Sequence, residues 1–378
     1  MKDSLTIAGC SVIAFFLIAI TGMELLPVQA SQHYGVTALH LPPGKQDSLL
    51  TRLGAWDSVF YARIAQKGYL AGDDTTAFYP LWPLLLRVGS AISRLSPIVV
   101  GLILSNLCFL GMIPLMISIF DEAERNVPTG SGISGRYCNS ALLMFVCYPG
   151  SLFLNVPYTE SLFLLLATGL LYAMQHQRMG IACIAAFLAP LARPVGCLLL
   201  IPILYWLFSE PNWRKRLAVP TSLLLGYGGY FVVMQATTGN SLAGFEAQQM
   251  FPAQGSLGKL FQPKEFLQSL LAFDSLHSMK GSLLDRAFFM FALFFTGCLY
   301  GRNRLLFWYS LPLVVVPAVT NSFFSFTRFA VVAFPVFWQA SNDILETGGK
   351  PLHHSVCLVF AILKGLLILC FTNYYWAG

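Results

Sequence analysis

The chain has 378 residues, of which 56% are hydrophobic and only 11% charged, with a mean hydropathy of +0.66. Ordinary soluble domains carry about 25% charged residues, so this composition cannot coat a soluble surface and excludes a set of two or three water-soluble domains. The net charge of +6 comes from basic residues scattered between apolar runs, which gives no nucleic-acid signal and reads instead as a set of topology determinants.

Apolar runs long enough to cross about 30 Å of hydrocarbon fall near 5–26, 97–120, 217–237, 305–321 and 352–372. Shorter or interrupted runs fall near 138–154, 158–175, 179–192, 194–208, 286–300 and 329–346. Together they predict an all-α polytopic membrane protein with about eleven transmembrane helices, a single integral membrane domain over residues 1–378. The first run is followed by Val28-Gln29-Ala30, a cleavage-like tripeptide, but it is longer than a signal-peptide core and reads as a retained anchor. With the N-terminus in the cytoplasm, the loops holding Arg125 and Arg136, Arg178, Arg214 to Arg216, Arg302 and Arg304, and Lys350 all fall inside. Two long loops, 28–96 and 238–285, then face the exterior or a lumen. Two short exterior turns keep one arginine each, Arg193 and Arg328, against the charge rule. An arginine on that side, beside apolar spans, is a functional-site candidate.

Within the first exterior loop, Trp56, Val59, Phe60, Arg63, Ile64 and Lys67 follow helical spacing, and Gly68 ends the pattern. Asp57 falls in the first turn, where the helix dipole favours a negative charge; it acts there either as a functional acid or simply as a cap. Asp73-Asp74 reads as a solvated turn. Phe78-Tyr79-Pro80-Leu81-Trp82-Pro83 opens a helix over Pro80–Ser93 that carries Arg87 and suits the interface. Further on, Glu160 follows Tyr158-Thr159 and enters the membrane at the face of the Asp57 loop, with Thr159 or Ser161 as candidate caps. An acid just inside a span needs a partner, and Arg193, at the break Ala192-Arg193-Pro194, is the candidate. Arg328 follows Ser325-Phe326-Thr327 and is either a site residue or a snorkelling interfacial arginine. The nine cysteines lack CxxC spacing and a His partner, and read as small core residues rather than a disulfide or zinc framework. There is no internal repeat, and Val127–Gly135 reads as a linker.

At these residues the chain resembles the PIG-V family of mannosyltransferases, within the GT-C class of polyprenol-dependent glycosyltransferases. The matching pieces run in family order: Trp56-Asp57 with Ile64-Ala65 and Gly68-Tyr69, then Ala77-Phe78-Tyr79-Pro80-Leu81 with Pro83 and Arg87. Pro149 and Ser151 follow with Tyr158-Thr159-Glu160-Ser161-Leu162-Phe163, then Arg193 and Gly196, and finally Arg328-Phe329 with Pro335 and Trp338. The likeness covers about residues 50–340. It departs at Arg193-Pro194-Val195-Gly196, where the family usually has Arg-Ser-Asn-Gly.

The resemblance implies a catalytic Asp early in the first exterior loop, a sugar donor on a polyprenyl phosphate, and a glycolipid or glycan acceptor in the bilayer. Asp57 becomes the expected base, with Trp56, Tyr79, Tyr158, Glu160, Arg193 and Arg328 as substrate-contacting residues and no cofactor assigned. The arginines would take the phosphate, while Glu160 would orient the acceptor or hold an arginine. The chain's length suggests a prokaryotic cell-membrane homologue rather than an ER enzyme. A secondary transporter or lipid-linked-sugar flippase, and a non-catalytic scaffold subunit, remain the alternatives from the residues themselves.

Overall fold

The computed structural model describes residues 2–29, 48–125, 137–209, 213–251, 255–272, 275–279 and 281–378. Ala30, the 127–135 linker and Arg136 lie outside the described residues. The described residues form helices and no strand, apart from an isolated bridge between Ser275 and Ser282. The first apolar run is α1 (Lys2–Leu25). The first long loop carries α2 (Leu49–Leu53), α3 (Asp57–Lys67) and α4 (Leu81–Ser93). Next come α5 (Pro97–Arg125), α6 (Tyr137–Cys147), α7 (Glu160–Gln175), α8 (Met179–Ala192), α9 (Leu200–Phe208) and α10 (Ala218–Thr238). The second long loop carries α11 (Ala243–Ala247) and α12 (Pro263–Leu271), followed by α13 (Leu283–Arg302), α14 (Arg304–Thr320), α15 (Phe326–Phe329) and α16 (Pro335–Thr372).

Among the described residues, α1, α5, α13 and α16 are long and apolar enough to cross a membrane, and six further apolar stretches of helix run to 10–17 residues. The outward faces carry Leu107, Leu225, Val232, Phe294 and Leu358 in the open, as a bundle solvated by lipid allows. The chain is a polytopic helical membrane protein.

The helices shorter than their apolar runs stop where the backbone chemistry stops them. The run over 138–154 is helical only to Cys147, because Pro149 cannot donate to the ladder, and Pro149–Leu154 tightens into a 3₁₀ turn. The helix over 179–192 gives way at Arg193, which is extended, and Pro194 opens a second 3₁₀ turn through Leu199. Gly349, at φ 65°, divides α16 into two helical halves that correspond to the runs near 329–346 and 352–372. The first half starts at Pro335, later than its apolar run. Ser322, Phe323 and Ser325 all take left-handed backbone angles and fold the preceding segment back as a turn.

Packing between α8 and α10 depends on close backbone approach, the usual device where lipid removes the hydrophobic drive between helices. A methyl group built on Gly226 of α10 would collide with the backbone carbonyl of Phe187 in α8. Buried Lys364 ties three helices, donating to Ser11 Oγ of α1 at 3.1 Å and to the carbonyl of Val146 in α6 at 2.9 Å. Arg52 of the first loop donates to Asn373 Oδ1 at 2.7 Å, and Asn373 donates in turn to the carbonyl of Gly22. Gly226→Ala should therefore lower the thermal unfolding midpoint in detergent, overpacking costing about 1–3 kcal/mol. Gly228→Ala, with nothing within 4 Å of the added carbon, should not lower the midpoint, since alanine is the better helix former.

Candidate active site

Asp57 reaches the site through a strained turn. Trp56 adopts φ 56° and ψ −127°, a region that costs a non-glycine residue about 1–3 kcal/mol. The turn starts α3 at Asp57, whose backbone N–H donates to Tyr158 Oη at 3.2 Å. Trp56 occupies the N-cap position and Asp57 is the first helical residue, so the capping alternative does not hold. The Asp57 carboxylate accepts from Arg328 Nη1 at 2.6 Å.

Glu160 is the first residue of α7 and fully buried. Its Oε1 accepts from Arg193 Nη1 at 2.5 Å and also from Arg328 Nε. The expected partner, Arg193, is thus the observed one, and Arg193 also donates to Thr159 Oγ1 at 3.2 Å. Thr159 holds the N-cap position without a side-chain capping bond, and Ser161 donates to the carbonyl of Leu154; neither hydroxyl caps α7. Arg328 is only 7% exposed, with its guanidinium 4.4 Å above the Tyr158 ring. It is a buried, ion-paired arginine rather than a snorkelling one. Two acids and two arginines therefore form one cluster of zero formal charge. Tyr61 Oη lies 3.3 Å from Thr159 Oγ1. Burial, reinforced by Asp57 and Glu160, pushes its phenol far above the usual range, so it stays a neutral hydroxyl.

Arg328 is itself fixed through its neighbour. Thr327 gives its N–H and its hydroxyl to Asp285 Oδ1 at 2.6 and 2.7 Å, and Tyr148 Oη donates to the Thr327 carbonyl at 2.9 Å. Asp285 was not among the sequence candidates. An acid in the first turn of an apolar helix was the available signal, the same one that marked Glu160.

A cavity of about 740 Å³ opens on this cluster, lined by Trp56, Asp57, Tyr61, Tyr79, Tyr158, Thr159, Arg193 and Arg328. Phe60, Phe78, Val195, Leu198, Val316 and Phe324 supply apolar wall, and both long loops contribute to it. Tyr79 is stacked on Tyr230 with ring centroids 4.2 Å apart. Glu160 does not line the cavity; of its two expected roles, holding an arginine is the one the geometry contains. Trp376 does line it, edge-on to Trp56 at 5.7 Å. Sequence reasoning missed Trp376, because an aromatic after the last apolar run looks like any headgroup anchor. Asp73 and Asp74 lie outside the lining and are salt-bridged to Arg63, at 2.5 and 3.7 Å, rather than simply solvated. Asp121, Glu124 and Cys138, whose ligand-type atoms lie within 4.8 Å of one another, are also outside the cavity; Cys138 is a core residue as expected, with its thiol donating to Asp121 Oδ1 at 3.1 Å.

Removing the charge of Glu160 would leave two arginines short of a partner in the protein interior. Glu160→Gln should cost about 3–5 kcal/mol of stability, read as a large drop in the unfolding midpoint in detergent. An unchanged midpoint would show that the arginines do not depend on it.

The family model described as Mannosyltransferase (PIG-V) matches residues 6–212, more than half of the chain. GPI mannosyltransferase 2 of Yarrowia lipolytica is 30% identical over 184 residues, covering 49% of this chain and 48% of the relative. GPI alpha-1,6-mannosyltransferase 2 of Rattus norvegicus is 29% identical over 136 residues, covering 35% and 27%. The match thus spans about half the length of the first relative and about a quarter of the second. An oligosaccharyltransferase structure from Archaeoglobus fulgidus aligns with 84% of this chain and 48% of its own, at 13% identity and a TM-score of 0.48. On the family match, which carries the Asp57 loop, Glu160 and Arg193, the chain belongs to the PIG-V mannosyltransferase family.

Proposed function

We propose that this chain is an inverting glycosyltransferase. It moves a hexose, mannose by family, from a polyprenyl-phosphate donor to a hydroxyl of a membrane-associated glycolipid or glycan. The observation that carries the reading is one carboxylate and one guanidinium, Asp57 and Arg328, joined at 2.6 Å on the wall of a largely apolar cavity. With the basic loops in the cytoplasm, that cavity faces the exterior or lumenal side.

Asp57 takes the proton of the acceptor hydroxyl as its oxygen attacks the anomeric carbon. The bond from that carbon to the phosphate oxygen breaks on the opposite face, and its electron pair leaves with the polyprenyl phosphate. The departing oxygen belongs to a phosphate monoester with a second pKa of about 6, so a second carboxylate to protonate it is not required. Arg328 and Arg193 face the cavity and meet the phosphate with charge-assisted hydrogen bonds that strengthen as charge builds on it. Because the four-residue cluster is neutral, an arriving phosphate competes with Asp57 for the Arg328 fork and releases the carboxylate toward the acceptor. Glu160 stays behind both arginines and keeps them charged and in place.

Purified protein given polyprenyl-phosphate-mannose and a panel of glycolipids should yield a mannosylated product, identified by mass spectrometry. Gradient-driven flux in proteoliposomes without any transfer would instead support the transporter reading. Asp57→Asn should lower turnover at least about 10²- to 10⁴-fold, the usual worth of a general base, while folding and donor binding persist. Near-normal turnover would remove Asp57 from the chemistry. Arg328→Lys loses the planar fork and should raise the KM for donor well above its effect on acceptor KM; the reverse pattern would put Arg328 on the acceptor.

A further inference from the structure

Arg328 sits in a segment that cannot hold itself in place. It lies in a four-residue helix, Phe326–Phe329, entered through three left-handed residues, Ser322, Phe323 and Ser325. Its guanidinium must nonetheless serve two carboxylates from distant parts of the chain, Asp57 and Glu160. The nearest restraint is on Thr327, the residue before it. Asp285 Oδ1 accepts both the Thr327 N–H and its hydroxyl, while Tyr148 Oη holds the Thr327 carbonyl from the other side. Gly150 brings its backbone against that same carbonyl, where a side-chain carbon would have no room.

Asp285 is 1% exposed in the first turn of an apolar helix, and its second oxygen, Oδ2, has no hydrogen-bond partner. Burying a carboxylate in that way is costly, and packing alone would be better served by an apolar side chain. The carboxylate does not line the cavity, so it touches neither substrate nor the reacting atoms. We propose that Asp285 is a positioning residue: through Thr327 it sets where the Arg328 guanidinium stands between Asp57, Glu160 and the donor phosphate. The two hydrogen bonds fix both the backbone and the side chain of Thr327, which leaves the next residue little freedom to turn. A misplacement of about 1 Å at such a group can cost about a hundredfold in rate.

This rests on the reading of Arg328 as the phosphate-binding arginine, and the experiment separates the two. Asp285→Val removes both hydrogen bonds, whereas Asp285→Asn keeps an oxygen that can accept them. Each variant is measured for affinity to polyprenyl phosphate, for donor and acceptor KM, and for thermal midpoint. Asp285→Val should weaken polyprenyl phosphate binding and raise donor KM about tenfold or more, the size of roughly one lost charge-assisted hydrogen bond, with acceptor KM little changed. Asp285→Asn should recover most of that loss. Wild-type affinity and donor KM in Asp285→Val would overturn the proposal. So would a loss of donor and acceptor binding in equal measure that Asn does not rescue, which is the pattern of a purely structural residue. If Asp285→Val does not fold, Thr327→Val, which removes only the hydroxyl bond, should show the same donor-selective shift to a smaller degree, and its absence counts against the proposal. If wild type binds no polyprenyl phosphate, the phosphate reading of Arg328 fails by itself. A cryo-EM structure of Asp285→Val, or of Thr327→Val in its place, then decides the positioning role: Arg328 still seated on both Asp57 and Glu160 refutes it, and Arg328 displaced from them supports it.

Discussion

One oxygen of Glu160 receives hydrogen bonds from two arginines, Arg193 and Arg328, and that shared acceptor pairs both arginines of the cavity wall. A buried guanidinium without a counter-ion is among the least favourable groups a membrane protein can carry. With Glu160 behind them, two such groups can stand at the wall of an apolar cavity and still face inward. The arginines come from two interruptions in the helices: Arg193 from the break after α8, and Arg328 from the turn before α16. Asp57 completes the set from the first loop and brings the formal charge to zero.

A neutral but fully ionised cluster suits chemistry on an anionic substrate better than a bare positive patch would. A site with two unpaired arginines would bind any phosphate head group in the leaflet tightly. Here each cation is already engaged, so a phosphate gains only the difference between its own hydrogen bonds and those it displaces. Apolar walls strengthen that difference, since low local dielectric raises the worth of every charged contact. Strain is concentrated in the same place, at Trp56 before Asp57 and at Ser322, Phe323 and Ser325 before Arg328. Those angles persist because hydrogen bonds accepted by Tyr158 and Asp285 and donated by Tyr148 over-determine the segments they interrupt.

Much of the fold was legible because it depends on local patterns. Hydropathy runs placed the helices, proline at 149 and 194 and glycine at 349 account for where several of them stop, and the helical spacing from Trp56 to Lys67 placed α3 with Gly68 at its end. The Glu160 and Arg193 pairing was also legible, because both fall at the ends of adjacent spans and each needs a partner. Asp285 was missed although it carries the same signal as Glu160, an acid in the first turn of an apolar helix; its partner is a threonine hydroxyl and an amide, which no charge pattern announces. Trp376 was missed as a site wall because an aromatic near a helix end has a sufficient explanation in the headgroup belt.

The sequence by itself determined that this is a helical membrane protein, where its apolar helices run, and which few charged residues stand out against them. These properties follow from composition and short-range periodicity, which the backbone enforces residue by residue. Only the tertiary structure decided that Arg328 belongs to Asp57 and Glu160, 271 and 168 residues away in the chain, that Glu160 stands behind the cavity, and that Asp285 anchors the turn beside Arg328. Charges carry no label for their partner in sequence. Which pairs form is settled by which helix ends the packing brings to one point, and by the cost of leaving any of them alone in a place without water.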